Sequence, residues 1–348
     1  MVPVVDLSRR NPALRAPFLQ AVEGVLDSGS VLLGPQLEAF EHEYAAWSGR
    51  SHAVGLSSGA AALQLALRGL GVHPGDEVLV PAFTAVPTAS AVAAIGAVPV
   101  PVDVLPDTAG LDPAGLAAAR TERTAAVIVV HLYGRPAELP DTDLPIVEDA
   151  AQAHGAIHPD PRSRAVAYSF YPTKNLGGIG DGGAIVTDDG DLASLVSCLR
   201  VHGMAAHYVH EEVAQSFRMS EIEAAWLRIA LPLLGAANDR RRAIAAAYRT
   251  AAPDLRWQAD HPDHVHHLAV FRTAERDATR RDLAVRDVAT AVHYPLAITQ
   301  QPAYRHLARH ACPESEAWAA ECVTVPCFPE MTDDEVELVA GALSSIAP

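Results

Sequence analysis

Lys174 is the only lysine in the 348 residues. It sits in SFYPTKNLGGIGDGG (169–183), a glycine-rich loop that follows an apolar run. Lysines are rarely buried. One held in such a setting loses its charge through desolvation and becomes nucleophilic toward an aldehyde. Taken alone, the residue reads more simply as a surface loop lysine. VEDAAQAHG (147–155) puts Glu148 and Asp149 at the end of a second apolar run. A carboxylate there is costly without a partner; the plain alternative is a helix-capping aspartate. SSGAAAL (57–63) opens a helix in which Gly59 allows close approach of a ligand. The free N–H groups of Gly59 and Ala60, with the helix dipole, make an anion site, although Ser58 could be an ordinary N-cap. VHYP (292–295) adds His293 and Tyr294.

The first three segments come in the order anion-binding helix start, strand-end aspartate, loop lysine. That order fits a pyridoxal 5'-phosphate (PLP) enzyme, with a phosphate cup, a partner for the ring nitrogen and a Schiff-base lysine. An aspartate on the pyridine nitrogen keeps the ring cationic, which makes it an electron sink.

The elements that must position these groups alternate. Short β-rich runs occur at Glu77–Val80, Val98–Val102, Ala125–His131, Pro145–Glu148, Ala165–Phe170 and Ala184–Thr187. Helical stretches lie between several of them, the clearest over Ala60–Leu70, where Leu63, Ala66, Leu67 and Leu70 share a face. Alternation of this kind implies a largely parallel sheet covered on both faces, with ligands at its carboxyl edge. Arg218–Arg249 reads as helix with a break near Pro232 and Gly235, and His267–Arg272 as a strand. A last helix begins at Thr332, with Glu335 completing a capping box. The expected organisation is a large α/β lobe over 1–245 and a smaller α+β lobe over 246–348.

Composition narrows the function classes. Hydrophobic residues make up 49% and charged residues 20%, as in a globular chain. No apolar run approaches membrane-spanning length, and the N-terminus lacks the layout of a signal peptide. Net charge of −16 disfavours nucleic acid and anionic membranes as partners. The four cysteines, Cys198, Cys312, Cys322 and Cys327, show no CxxC spacing, so a reducing cytoplasm is expected.

These residues resemble the DegT/StrS sugar aminotransferase family of fold-type I PLP enzymes. The resemblance runs over nearly the whole chain, from LDSGSVLLGPQLEAFEHEYA through GDEVLVPAFT, VHLYGRPA, EDAAQAHGA and SFYPTKNLG to VHYPLAITQQPAYRHL and PEMTDDEVE. It implies a mostly parallel seven-stranded sheet, Lys174 as Schiff base and proton carrier, Asp149 on the pyridine nitrogen, and Gln152 near the ring hydroxyl. Ser169 with the Gly59 and Ala60 amides would bind the phosphate, Ser58 would line the same cup, and His154, His293 and Tyr294 would lie near the substrate. Four departures stand out. Ala60 replaces a usual threonine, and Ala85 replaces an aromatic residue stacked on the ring, leaving only Phe83 nearby. Ser216 in QSFRM replaces an asparagine that reaches the partner subunit's site, and His158–Arg164 is short.

A phosphate of about two negative charges needs more than Ser169 and two amides. A homodimer with active sites at the interface is therefore expected, Ser216 and Arg218 of one chain reaching the other's site. The expected activity is transfer of an amino group from glutamate or glutamine to the ketone of a nucleotide-linked keto sugar or keto cyclitol, in secondary-metabolite or glycan sugar biosynthesis. The competing readings are a PLP lyase or dehydratase on the same scaffold, which Lys174 disfavours, and a non-catalytic PLP-binding regulator. The histidines of HPDHVHHL (His261, His264, His266, His267) match no structural zinc pattern, so no metal is expected. Arg240–Arg242 reads as a solvated face or subunit contact.

Overall fold

Residues 1–10 and 12–347 are described by the computed structural model. Helices α1 (Arg15–Ser28) and α2 (Pro35–Ser48) lead into β1 (His52–Leu56), a strand not distinguished in the sequence. Then come α3 (Gly59–Gly69), β2 (Glu77–Pro81), α4 (Val86–Ala94), β3 (Val98–Val102), α5 (Pro113–Ala119), β4 (Thr124–Val130), β5 (Ile146–Asp149), β6 (Ser163–Ser169) and β7 (Gly183–Thr187). The seven strands form one sheet in the order β1-β7-β6-β5-β4-β2-β3. The pairs among β2 to β6 are parallel, and β7 runs antiparallel to both neighbours. The central strands are continuous apolar runs because both faces are covered. Leu63, Leu67, Val92 and Ile128 fill one face; Phe40, Tyr44, Tyr168, Phe170 and Leu227 fill the other.

After α6 (Gly190–Leu199) the chain makes a small hairpin, β8 (Met204–Ala206) with β9 (Val209–His210). Helices α7 (Glu221–Ala230) and α8 (Leu234–Ala251) follow, joined by a single 3-10 turn at Leu231–Leu233. The expected helix from Arg218 is thus shorter. Ser220 caps α7 through its hydroxyl, and Arg218 is extended, bridged to Leu56. The break falls at Pro232, which cannot continue a helix ladder, while Gly235 lies inside α8. The basic run on α8 is not one solvated face. Arg241 is buried, donating to the carbonyls of His267 and Cys327, and Arg240 pairs with Asp333.

The C-terminal part carries a three-stranded antiparallel sheet of β10 (Arg256–Trp257), β11 (Ala269–Arg272) and β12 (Cys322–Val325). Helices α9 (Arg276–Val285), α10 (Pro313–Glu321) and α11 (Asp333–Ser344) accompany it, with the Thr332–Glu335 capping box in place. Ile244 and Tyr248 of α8 and Val2 from the N-terminus join its core. Val2 is tied there by hydrogen bonds with Asp287 and Ala289.

Candidate active site

Asp149 is the last residue of β5 and is buried. Thr88, on α4, donates to its Oδ2 at 2.8 Å, and the Ala151 N–H donates to Oδ1 at 3.2 Å. Thr84, one turn before Thr88, holds that hydroxyl at 3.1 Å. The carboxylate is therefore fixed at the carboxyl edge of the parallel strands, where neighbouring loops leave room for a ligand.

Lys174 lies in the loop between β6 and β7. Burial pushes its ammonium down to about 8, against the opposing pull of the Asp149 carboxylate. The loop is anchored at Pro172, Asn175, Gly177, Gly178 and Gly180. Asn175 donates to Asn238 and to the Val265 carbonyl and meets His267 Nδ1 at 3.1 Å. Trp226 Nε1 donates to the Gly177 carbonyl, and the Arg10 guanidinium donates to the carbonyls of both Pro172 and Gly178. From beneath, the Glu223 carboxylate accepts the Gly180 N–H and packs against Gly178, where a Cβ would collide with it. Burial raises Glu223 to about 7.

Gln152 is held at both ends. Its Oε1 accepts the Tyr133 N–H at 2.6 Å, and its Nε2 donates to Tyr294 Oη at 2.9 Å. The Tyr133 hydroxyl donates to the His293 carbonyl, and His293 Nδ1 meets Thr324 Oγ1 at 2.9 Å. Burial and the Lys174 charge push His293 down to about 4. His154 is fully buried against Tyr168 and Phe170, and the same two causes push it down to about 3. Among the described residues neither of its ring nitrogens has a hydrogen-bond partner.

At the start of α3 the Ser58 hydroxyl accepts the Ala61 N–H, so it acts as the N-cap. The N–H groups of Gly59 and Ala60 open the helix and have no acceptor within it. A Cβ on Gly59 would stand 2.6 Å from that of Ser169, and one on Gly183 would strike the Ser58 backbone. Only glycine lets these three segments meet, which brings Ser169 beside the two amides. A buried amine of lowered basicity under the influence of a fixed carboxylate, an unpartnered imidazole behind it and a glycine-lined anion cradle together fit PLP.

The structure thus groups Lys174, Asp149, Gln152, His154, His293 and Tyr294, with Ser58, Gly59, Ala60 and Ser169 along the same edge. Phe83 is fully buried in a cluster with Tyr133, Tyr294 and Trp318 and meets the group through Tyr294. Ser216 is exposed, bridged to Val201, and accepts from Arg218 Nε at 2.9 Å. Thr84, Thr88, Tyr133, Asn175, Arg10 and Glu223 carry the support and escaped the sequence reading. Only the threonine pair left a signal, the four-residue spacing in PAFTAVPT.

The family model of the DegT/DnrJ/EryC1/StrS aminotransferase family matches residues 12–344. A dTDP-3-amino-3,4,6-trideoxy-alpha-D-glucose transaminase from Streptomyces venezuelae is 45% identical, over 98% of this chain and 95% of its own. The crystal structure of S. venezuelae DesV in complex with a ketimine intermediate superposes with a TM-score of 0.93 at 42% identity, covering 99% of this chain and 98% of that one. NtdA from Bacillus subtilis with bound cofactor PMP superposes with a TM-score of 0.92 at 28% identity, covering 98% of this chain and 84% of that one.

Proposed function

We propose, because the chain belongs to the DegT/DnrJ/EryC1/StrS aminotransferase family, that it aminates the ketone of a nucleotide-linked keto sugar, taking the amino group from glutamate or glutamine. The enzyme is a PLP-dependent sugar aminotransferase. The observation that carries the reading is the single lysine, pushed down to about 8 by burial against the opposing pull of the strand-end Asp149, in a chain that matches this family from residue 12 to 344. Relatives named for dTDP- and UDP-linked sugars favour a nucleotide-sugar acceptor over a free cyclitol, and a relative named for erythromycin biosynthesis favours secondary metabolism over glycan synthesis.

PLP, when bound, supplies an electrophilic aldehyde and an electron-withdrawing ring. The remaining work falls to the chain. We assign Lys174 Nζ to covalent attachment and, once released, to carrying a proton at the reacting carbon; an amine near 8 exists in both forms at neutral pH. Asp149, immobilised by Thr88, would partner the ring nitrogen. Gln152 and Tyr294, hydrogen-bonded to each other, would orient the ring on its hydroxyl side. Ser169 with the Gly59 and Ala60 amides would hold the phosphate, and His293 would meet the substrate. His154 backs Lys174 as a neutral ring, since an imidazole near 3 is uncharged at pH 7. We assign Phe83 to support of the cofactor floor through Tyr133 and Tyr294.

The assembly we propose is a cytoplasmic homodimer with Ser216 and Arg218 at the interface. Val31, Leu32, Tyr171, Ile179 and Tyr208 are exposed apolar side chains, and Tyr208 with Val209 belongs to the hairpin just before Ser216. The lobe boundary is taken near residue 245, inside α8. The test of function is a half-reaction. PLP-loaded protein mixed with glutamate or glutamine, without acceptor, is expected to release one equivalent of 2-oxo acid, then to aminate a dTDP-keto sugar. Release of no 2-oxo acid from either donor overturns the proposal.

A further inference from the structure

The histidine-rich segment HPDHVHHL is divided by the fold. His267 turns to Asn175, and His261 Nδ1 accepts the Asp263 N–H. His264 and His266 instead lie ring to ring, with centroids 3.7 Å apart, and share Asp260. One ligand atom from each of Asp260, His264 and His266 lies within 4.8 Å of the others. From the geometry we infer that these three residues bind a borderline divalent transition metal, Zn²⁺ being the simplest occupant.

The tautomer of His264 carries the argument. Its Nε2 stands 3.3 Å from the Tyr133 carbonyl oxygen, which can only accept, so Nε2 bears the hydrogen. The Nδ1 lone pair is then left without a partner on a ring that is 2% exposed. It points toward Asp260 Oδ1, 4.0 Å away, and His266 Nε2 approaches the same oxygen at 3.9 Å. Electron-rich atoms at that separation need to close by about half an ångström to share a tetrahedral ion with bonds of about 2.0–2.2 Å. The Asp260 side chain is largely exposed, and its Oδ1, which also accepts the His261 N–H at 3.0 Å, would have to move toward the rings as the ion binds. An imidazole that donates its other N–H to a carbonyl is also the usual support for a metal-bound histidine.

The surroundings supply room for a further ligand. A cavity of about 10 Å³ beside the two rings is lined by Gln258 and Arg249, close to the volume of one water. Gln258 Oε1 is buried there without a partner. The guanidiniums of Arg249, bonded to the Gln258 carbonyl, and Arg135, bonded to the Ala259 carbonyl, oppose a dication, and the Asp260 charge offsets part of this. Two imidazoles and a carboxylate with an open position suit Zn²⁺ or Co²⁺ better than Mg²⁺ or Ca²⁺. The consequence reaches the catalytic side, since the Tyr133 held by His264 also holds Gln152.

The experiment uses the PLP-loaded chain, stripped with a chelator and titrated with Zn²⁺ alone by calorimetry. One saturable site per chain is expected. Asp260→Ala and His266→Phe should each abolish it while leaving the metal-free melting midpoint and glutamate half-reaction unchanged. Zinc at 100-fold over its Kd should shift the unfolding equilibrium about 100-fold in the parent and not in either variant. Asp260 is exposed, so Asp260→Ala decides the matter if His266→Phe folds poorly. The absence of a saturable site, or equal binding by Asp260→Ala, overturns the inference.

Discussion

Lys174 gains its reactivity from burial, and Asp149 limits how far its proton affinity falls. The sign follows. Below about 8 the amine is protonated and cannot attack, and above it the free amine dominates. The rate at which PLP couples to the apoprotein is therefore expected to rise about tenfold per pH unit below that point and to flatten above it. Stopped-flow absorbance checks this, and a flat profile from pH 6 to 9 would contradict it. Asp149→Asn removes the charge assigned to the ring nitrogen and should slow deamination of glutamate about 100- to 1,000-fold, while PLP still binds. Thr88→Val keeps the volume but frees the carboxylate. A loss of about tenfold in kcat is expected for that variant. A single-turnover assay that finds either variant at parent rates refutes its role. Lys174 and Asp149 could be picked out in the sequence because residue type and order carry their chemistry. Thr88 could not: its four-residue spacing from Thr84 is legible, but its partner is not until the fold brings it 2.8 Å from Asp149.

At the scale of elements, the Lys174 loop is set between Arg10 and Glu223, residues far apart in the chain. Glu223 holds its proton up to about 7 in the folded chain, whereas an unperturbed glutamate releases it near 4.5. The folded state therefore binds more protons in that window and loses stability as pH rises through it. Glu223→Gln should keep the hydrogen bond from Gly180, remove this slope and add about 1–3 kcal/mol at pH 8. Denaturant unfolding at pH 5 and pH 8 measures it, and a parent-like slope in the variant contradicts it. The apolar runs announced six of the seven sheet strands because both faces of those strands are covered. β1 stayed hidden because His52, Ala53 and Gly55 dilute its apolar character. The sequence also overextended α7 to Arg218, whose extended backbone is fixed by a bridge to Leu56 that no local pattern records. Arg241 looked solvated within a basic run, but its partners are carbonyls 26 and 86 residues away.

The whole molecule places one amine between Asp149 of the seven-stranded sheet and His293 of the C-terminal part and, as we propose, beside a second copy. If Arg218 serves the partner's site, then Lys174→Ala and Arg218→Ala chains, each inactive and folded, should regain part of the activity after subunit exchange. Confirmed exchange without recovery would remove Arg218 from that role. This level was the least legible, because exposed apolar side chains such as Tyr208 and Ile179 mark a surface without saying what covers it. The central claim, that Lys174 is the residue through which amino groups pass, has a direct measurement. PLP-loaded protein is reduced with borohydride, digested and mapped by mass spectrometry. The phosphopyridoxyl group is expected on Lys174 in the parent and on no peptide of the Lys174→Ala chain. A label on the chain's α-amino group, or none in a protein that still turns over, would contradict it.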